Sequence, residues 1–333
     1  MKLSKTLNPT KIKHKHLLII FLIFGLFLRL LWPISQNTFF SDQDWFYWQA
    51  ADSLTQGKFP LLGITTSITW LHQGPLWTYL LIPTLAITNF HPLSGTVLTI
   101  FFSLATLLFI YSEGTAYLGK RIGLLSSFLY TFFFFSIVHS RIAYHTSPIP
   151  LFILISFHLL RKKDWFMSGL FFGFLYQLHL LTFIFWPLAL YLAHRKSANP
   201  LLLLAGIIVG ITPLIIAGPV QVFGILLWLL KFITGLSSSS GLSVSYQVVL
   251  LLPLLFLSAS IISKLSNKLQ FIFCAIFIFL NMYYLLSSRY LTRYLSYQPT
   301  LETQIGKAKN CQTSQSDYIY WWLSKNKIVD CYN

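Results

Sequence analysis

Of the 333 residues, 55% are hydrophobic and only 10% charged, and the mean hydropathy is +0.66. Such a composition excludes an ordinary soluble domain and leaves an all-α polytopic membrane protein. The formal charge of +16 does not point to nucleic acid, because Lys and Arg fall in short clusters between apolar runs. Clusters of that kind set membrane orientation and meet anionic lipid head groups.

Residues 1–16 carry Lys2, Lys5, Lys11, Lys13 and Lys15 with no acid, and read as a cytoplasmic N-terminus. The apolar run Leu17 to Leu31, interrupted only by Arg29, follows without a small-residue cleavage site, so it reads as an anchor rather than a cleaved signal. The first loop, about 35–75, is then external. Within it, Ser41 to Pro75 holds three of the chain's eight acidic residues, Asp42, Asp44 and Asp52. Asp42 and Asp44 follow the first anchor closely and sit at the membrane surface, where ionisable groups usually serve a function. The stretch Trp45 to Leu54 suggests a short interfacial helix that Asp42 or Asp44 could cap. Asp52 lies at helical spacing from Trp48 and reads as an exposed face. Trp45, Phe46, Tyr47 and Trp48 read as an aromatic belt.

Pro75 to Phe90 is apolar but sixteen residues long, with Pro83 inside. Counting it as a crossing inverts every later loop, so it is expected to be re-entrant or interfacial. Further helices are expected near 95–112, 122–138, 149–160, 165–178, 180–193, 200–217, 246–262 and 269–286. One alternation sets Lys120–Arg121, Arg161–Lys163, Arg195–Lys196 and Lys264 with Lys268 on the cytoplasmic side. It returns Arg141, His145, Gln177 and His179 to the outer side with Asp42. Gly169 and Gly173 form a spacing that lets helices approach closely. Ala217 to Ser245 fits the outer interface. The transmembrane domain is 17–287, with about 9–11 membrane segments. A polar tail, 288–333, is expected outside, where Cys311 and Cys331 could pair or remain free thiols. Cys274 behaves as a small hydrophobe.

Several short motifs occur in a telling order: Asp42-Gln43-Asp44, Gln49-Ala50-Ala51 leading to Gly57-Lys58-Phe59-Pro60, His72-Gln73-Gly74-Pro75-Leu76-Trp77, and Ser140-Arg141-Ile142-Ala143. Together, over about residues 17–196, they resemble the membrane-embedded glycosyltransferases of the protein-O-mannosyltransferase and aminoarabinose-transferase type, which have the GT-C fold. The resemblance implies a multi-helix bundle whose first external loop carries the catalytic acid. It also implies a sugar donor attached to a polyprenyl phosphate, and inverting transfer at the outer face. Asp42 takes the place of the family's leading Asp. Gln43 stands where the family often has a second acid, leaving that role to Asp44 or to no residue. His145 or Thr146 stands where an acid often follows the helix-end Arg.

The chemistry can also be read from residue types. Moving a sugar from a lipid phosphate to an acceptor hydroxyl needs a carboxylate to take the proton and a cation to stabilise the departing phosphate. Asp42 is the candidate base, Asp44 a candidate second acid, and Arg141 a candidate phosphate clamp, since guanidinium matches two phosphate oxygens. His72, His145, Gln177 and His179 are candidate substrate-binding residues. No cofactor is firmly implied: Asp42 and Asp44 could hold a divalent cation, but two carboxylates without further ligands make a weak metal site. The partners implied are the polyprenyl-phosphate-linked donor, an acceptor that is protein, lipid or glycan, and membrane lipids. A transporter or flippase for lipid-linked sugars is the rival reading, although its ionisable residues should lie mid-helix along a path.

Overall fold

A computed structural model describes residues 9–31, 39, 41–66, 68, 70–195, 200–222, 224, 244–286, 301–310, 316–326 and 328. Among them the regular structure is helical, with one isolated antiparallel bridge between Thr65 and His72. The helices are α1 (Pro9–Leu30), α2 (Ser41–Gln56), α3 (Leu76–Ile87), α4 (Ser94–Leu118), α5 (Lys120–Phe132), α6 (Phe134–His139), α7 (Ile149–Lys162) and α8 (Trp165–Leu178). A 3₁₀ turn (Leu180–Ile184) leads into α9 (Phe185–Arg195), followed by α10 (Pro200–Gly210), α11 (Thr212–Ala217), α12 (Val244–Ile262), α13 (Asn267–Leu286), α14 (Leu301–Lys309) and α15 (Asp317–Lys325). Two of these, α4 and α13, are long and apolar enough to cross a membrane. The expected Cys311–Cys331 pair and residues 288–300 lie outside the described residues.

The long helix α4 gives the bundle its axis. Near its start, Gly95 donates its N–H to the hydroxyl of Tyr47 on α2, and the hydroxyls of Thr96 and Thr99 donate to the carbonyls of Arg141 and Ser140. Near its other end, the buried Glu113 joins His158 and Arg161 at the end of α7. Gly119, at φ 97, turns the chain there into α5. At this basic end Arg121 donates to Asn267, which opens α13. The two ends of α4 therefore meet different sets of loops, one around α2 and one around the basic clusters.

The segment expected as a helix over 122–138 is interrupted at Phe133, whose backbone is extended (φ −70, ψ 118). The N–H of Phe134 donates to Asn281 Oδ1 on α13 at 2.7 Å instead of to the Tyr130 carbonyl. That carbonyl is freed and accepts from Ser136 Oγ and Arg29. The span expected over 200–217 likewise breaks, at Ile211, ahead of Pro213. Helices α8 and α10 run parallel in close contact, because Gly169 and Gly173 face Gly206 and Gly210. A Cβ on any of the four would strike backbone of the opposite helix.

Helix α3 has both ends at the α2 side. Gly74, ahead of it, donates to the Gln177 carbonyl, and Tyr79 donates to the Pro60 carbonyl. Past its far end, the Phe90 and Pro92 carbonyls accept from Tyr318 and Tyr47. It therefore lies alongside α2, and α4 starts again from the same end. The tail helix α15 also packs there: Tyr318 is buried, with its ring within 6.2 Å of those of Phe39, Tyr47, Trp48 and Trp321.

Candidate functional site

Helix α2 begins at Ser41, so Asp42 and Asp44 lie in its first turn, where carboxylates meet the positive end of the helix dipole. The two residues then diverge. Asp42 Oδ2 accepts the hydroxyl of Tyr144 at 2.6 Å, which ties α2 to the loop between α6 and α7. Asp44 Oδ1 accepts from the hydroxyl of Ser316 and, at 3.1 Å, from the N–H of Tyr318. Ser316 is itself the N-cap of α15, accepting from the Ile319 N–H. Asp44 therefore holds the tail. Burial pushes its carboxyl above the usual range, and the Ser316 and Tyr318 hydrogen bonds oppose that shift. Asp52 is half-buried rather than fully exposed, and accepts from Gln56 one turn on.

The loop 140–148 is pinned from several sides. Besides the two threonine hydroxyls of α4, Ser147 donates to the Ile142 carbonyl, and Thr146 Oγ1 shares a hydrogen bond with His139 Nε2 at 3.2 Å. This rigidity fixes Arg141, Tyr144 and His145. The Tyr144 ring lies 4.1 Å from that of His145, which lies 5.5 Å from Phe46 and 6.2 Å from His179, the two imidazoles being parallel. Both ring nitrogens of His145 are buried and meet no hydrogen-bonding group. Burial holds His145 well below the ordinary histidine range, with His179 and His139 adding repulsion, and burial brings His179 down to about 4. Both rings are neutral at pH 7. Burial and the Asp42 charge raise the Tyr144 hydroxyl, so it remains a donor.

Arg141 is 2% exposed, and its Nη2 donates to the Leu28 carbonyl near the end of α1. Burial, with Arg29 as the lesser cause, lowers its guanidinium to about 10, leaving it cationic at neutral pH. Gln177 braces backbone: its side-chain amide donates to the Gly210 carbonyl, and its own carbonyl accepts from Gly74. His179 Nδ1 accepts from the Leu181 N–H at 3.2 Å. The His72 ring turns back on its own hairpin, with Nδ1 2.9 Å from the Gly63 carbonyl, while its backbone N–H donates to Gln221 Oε1.

The structure thus joins Asp42, Tyr144, His145 and His179 in a chain of contacts, with Arg141 three residues from Tyr144. Asp44, Gln177 and His72 have structural partners of their own. Three further residues stand out that were not candidate site residues. Gln43 is fully buried with both amide atoms unmatched, His139 has an unmatched Nδ1, and Arg29 is fully buried. The signal for Arg29 was its position as the lone charge in an apolar run, and that for Gln43 its place between Asp42 and Asp44; His139 carried none. Among the described residues, no three His, Cys, Asp or Glu side chains gather to hold a metal ion. No family model, curated protein or solved structure matches the chain.

Proposed function

We propose that this chain is a multi-pass plasma-membrane glycosyltransferase of the GT-C type. It moves a sugar from a polyprenyl-phosphate donor to an acceptor hydroxyl at the outer face, with inversion, and Asp42 is the base. The observation that carries this reading is the Asp42–Tyr144 hydrogen bond. It brings a first-turn carboxylate of α2, unlike Asp44 not engaged by the tail, against the loop that holds Arg141 and His145. A base and a phosphate-stabilising cation at one end of a helical bundle are what transfer from a lipid phosphate requires.

The outer surface of the bundle supports a lipid setting. Helix α13 exposes Phe271, Phe279 and Tyr283 by 75%, 69% and 58%, and α1 exposes Ile23 and Phe27 by 62% and 57%. Water would penalise that area, whereas acyl chains accept it. With α3 alongside α2, the described residues supply nine membrane segments in this reading: α1, α4, α5 with α6, α7, α8, α9, α10 with α11, α12 and α13. The basic clusters then fall at the end opposite Asp42, in keeping with a cytoplasmic N-terminus and an external site. An apolar groove of about 810 Å³, lined by residues such as Leu129, Phe133, Leu254 and Phe277, offers room for an isoprenoid chain.

The test is transfer by the purified protein from polyprenyl-phosphate sugars, together with mass spectrometry of the lipid that co-purifies. Asp42→Asn should abolish turnover, by about 10²-fold or more, while the protein still folds. Normal turnover in that variant would remove Asp42 from the mechanism. A co-purified lipid without phosphate or sugar, and no transfer from any donor, would remove the function.

A further inference from the structure

The interior of the bundle near the site holds a second cation. Arg29, in the last turn of α1, is fully buried. Its Nε donates to Ser103 Oγ at 2.8 Å, Nη1 to the Gly25 carbonyl at 3.1 Å and Nη2 to the Tyr130 carbonyl at 3.5 Å, and its guanidinium lies 5.3 Å from the Tyr130 ring. Every one of these partners is neutral. Among the described residues both ion pairs belong to Glu113, at the far end of α4.

Arg141 reaches the same turn of α1, its Nη2 donating to the carbonyl of Leu28, the residue before Arg29. Successive turns of α4 hold them in register: Thr96 and Thr99 hold the backbone of Arg141 and Ser140, and Ser103 holds Arg29. A cation withdrawn from water and held only by neutral groups, as Arg29 is, is costly, and an anion set against it relieves that cost. Arg29 makes three hydrogen bonds with five N–H groups, so two remain for an incoming acceptor. A tetrahedral phosphate is the anion whose several oxygens two guanidinium forks can share.

We propose that Arg29 and Arg141 together form a phosphate-binding site, Arg29 being a second clamp alongside Arg141. The proposal rests on the glycosyltransferase reading only in naming a polyprenyl phosphate as the bearer of that group. Leu129 and Phe133 of the same α5 segment as Tyr130 line the apolar groove, which is the candidate berth for the hydrocarbon chain of such a lipid. The same chemistry would hold a free phosphate ion, and the test separates the two sources.

The experiment titrates the full-length protein in detergent with polyprenyl monophosphate, with phosphate-free polyprenol and with inorganic phosphate, following bound mass by native mass spectrometry. Arg29→Gln should weaken polyprenyl phosphate binding about tenfold or more, since hydrogen bonds to a charged group are lost, and leave polyprenol binding unchanged. Arg29→Lys, which keeps the charge but not the fork, should fall between, and is read alone if Arg29→Gln does not fold. Arg29-dependent binding of inorganic phosphate but not of the lipid supports the site with the free ion as its occupant. Parental affinity for both phosphates in the Gln variant, or equal losses for polyprenol and polyprenyl phosphate, would overturn the proposal. Sugar transfer by the parent distinguishes the two failures. A parent that transfers sugar, paired with an Arg29→Gln variant of unchanged KM, sinks only the Arg29 clamp. A parent that transfers nothing but binds phosphate through Arg29 sinks only the glycosyltransferase reading.

Discussion

Tyr144 donates its hydroxyl to Asp42 Oδ2 at 2.6 Å across 102 positions of sequence. A carboxylate that accepts one strong hydrogen bond is oriented by it, with its other oxygen left to face an acceptor. Tyr144→Phe keeps the ring packed on His145 and removes only this donor. If Asp42 is the base proposed above, the expected result is a fall of about tenfold in kcat with little change in KM, because ground-state binding is untouched while the carboxylate loses its alignment. Steady-state kinetics on the two variants check it: a Phe variant as inactive as Asp42→Asn would mean that Tyr144 itself moves the proton.

Asp44 behaves differently from its neighbour two residues earlier. Its Oδ1 accepts from Ser316 and from the Tyr318 N–H, and an Asn oxygen can accept both. Because burial already disfavours the Asp44 charge, Asp44→Asn should keep the tail docked and retain transfer, whereas Asp44→Ala should free α15. Limited proteolysis of the tail reads this directly. Cleavage within α15 should be fast in the Ala variant and slow in the Asn variant. Equal cleavage in both would show that the charge itself holds the tail.

The composition was enough to read a helical bundle, and Pro83 with its short apolar run to read α3 as a short helix, which spans twelve residues. The joining of Asp42 to the loop after Arg141 was legible as a placement at one end, but not as a contact. Its agent, Tyr144, looks like any interfacial aromatic in sequence. The break at Phe133 was hidden because its cause is tertiary: Asn281, nearly 150 residues away, takes the N–H that would have continued the helix. For the same reason Asp44 read as a partner of Asp42, since a tail that caps itself with Ser316 gives no local sign of where it docks. The close α8–α10 packing was half legible: Gly169 and Gly173 marked one helix, but only the fold shows their partners to be Gly206 and Gly210.

His145 and His179 make the site end sensitive to acid. Both have folded-state values depressed by burial below the unfolded value of about 6.5, His179 to about 4. A depressed group contributes stability above its unfolded value and loses it as pH falls through the interval down to the folded one. Thermal stability should therefore be flat near pH 7–8 and decline from about 6.5 towards 4. In the double variant His145→Gln, His179→Gln this decline should be shallower. Melting curves in detergent at stepped pH supply the test, and an equal acid slope in parent and double variant would assign the decline to other groups.

Gly206 offers the sharpest packing test away from the site. A Cβ there would strike the Phe166 carbonyl and the Leu170 backbone, and backbone cannot swing aside as a side chain can. Gly206→Ala must therefore separate α8 from α10, at a cost of about 1–3 kcal/mol typical of overpacking, despite alanine's better helix propensity. That separation would propagate to Gln177, whose amide donates to the Gly210 carbonyl one turn further along α10, and through it to the Gly74 N–H ahead of α3. Gly206→Ala should lower the melting temperature and also loosen the hairpin before α3, seen as faster hydrogen exchange at Gly74. A variant with parental melting temperature and exchange would mean that the two helices have slack to part without strain.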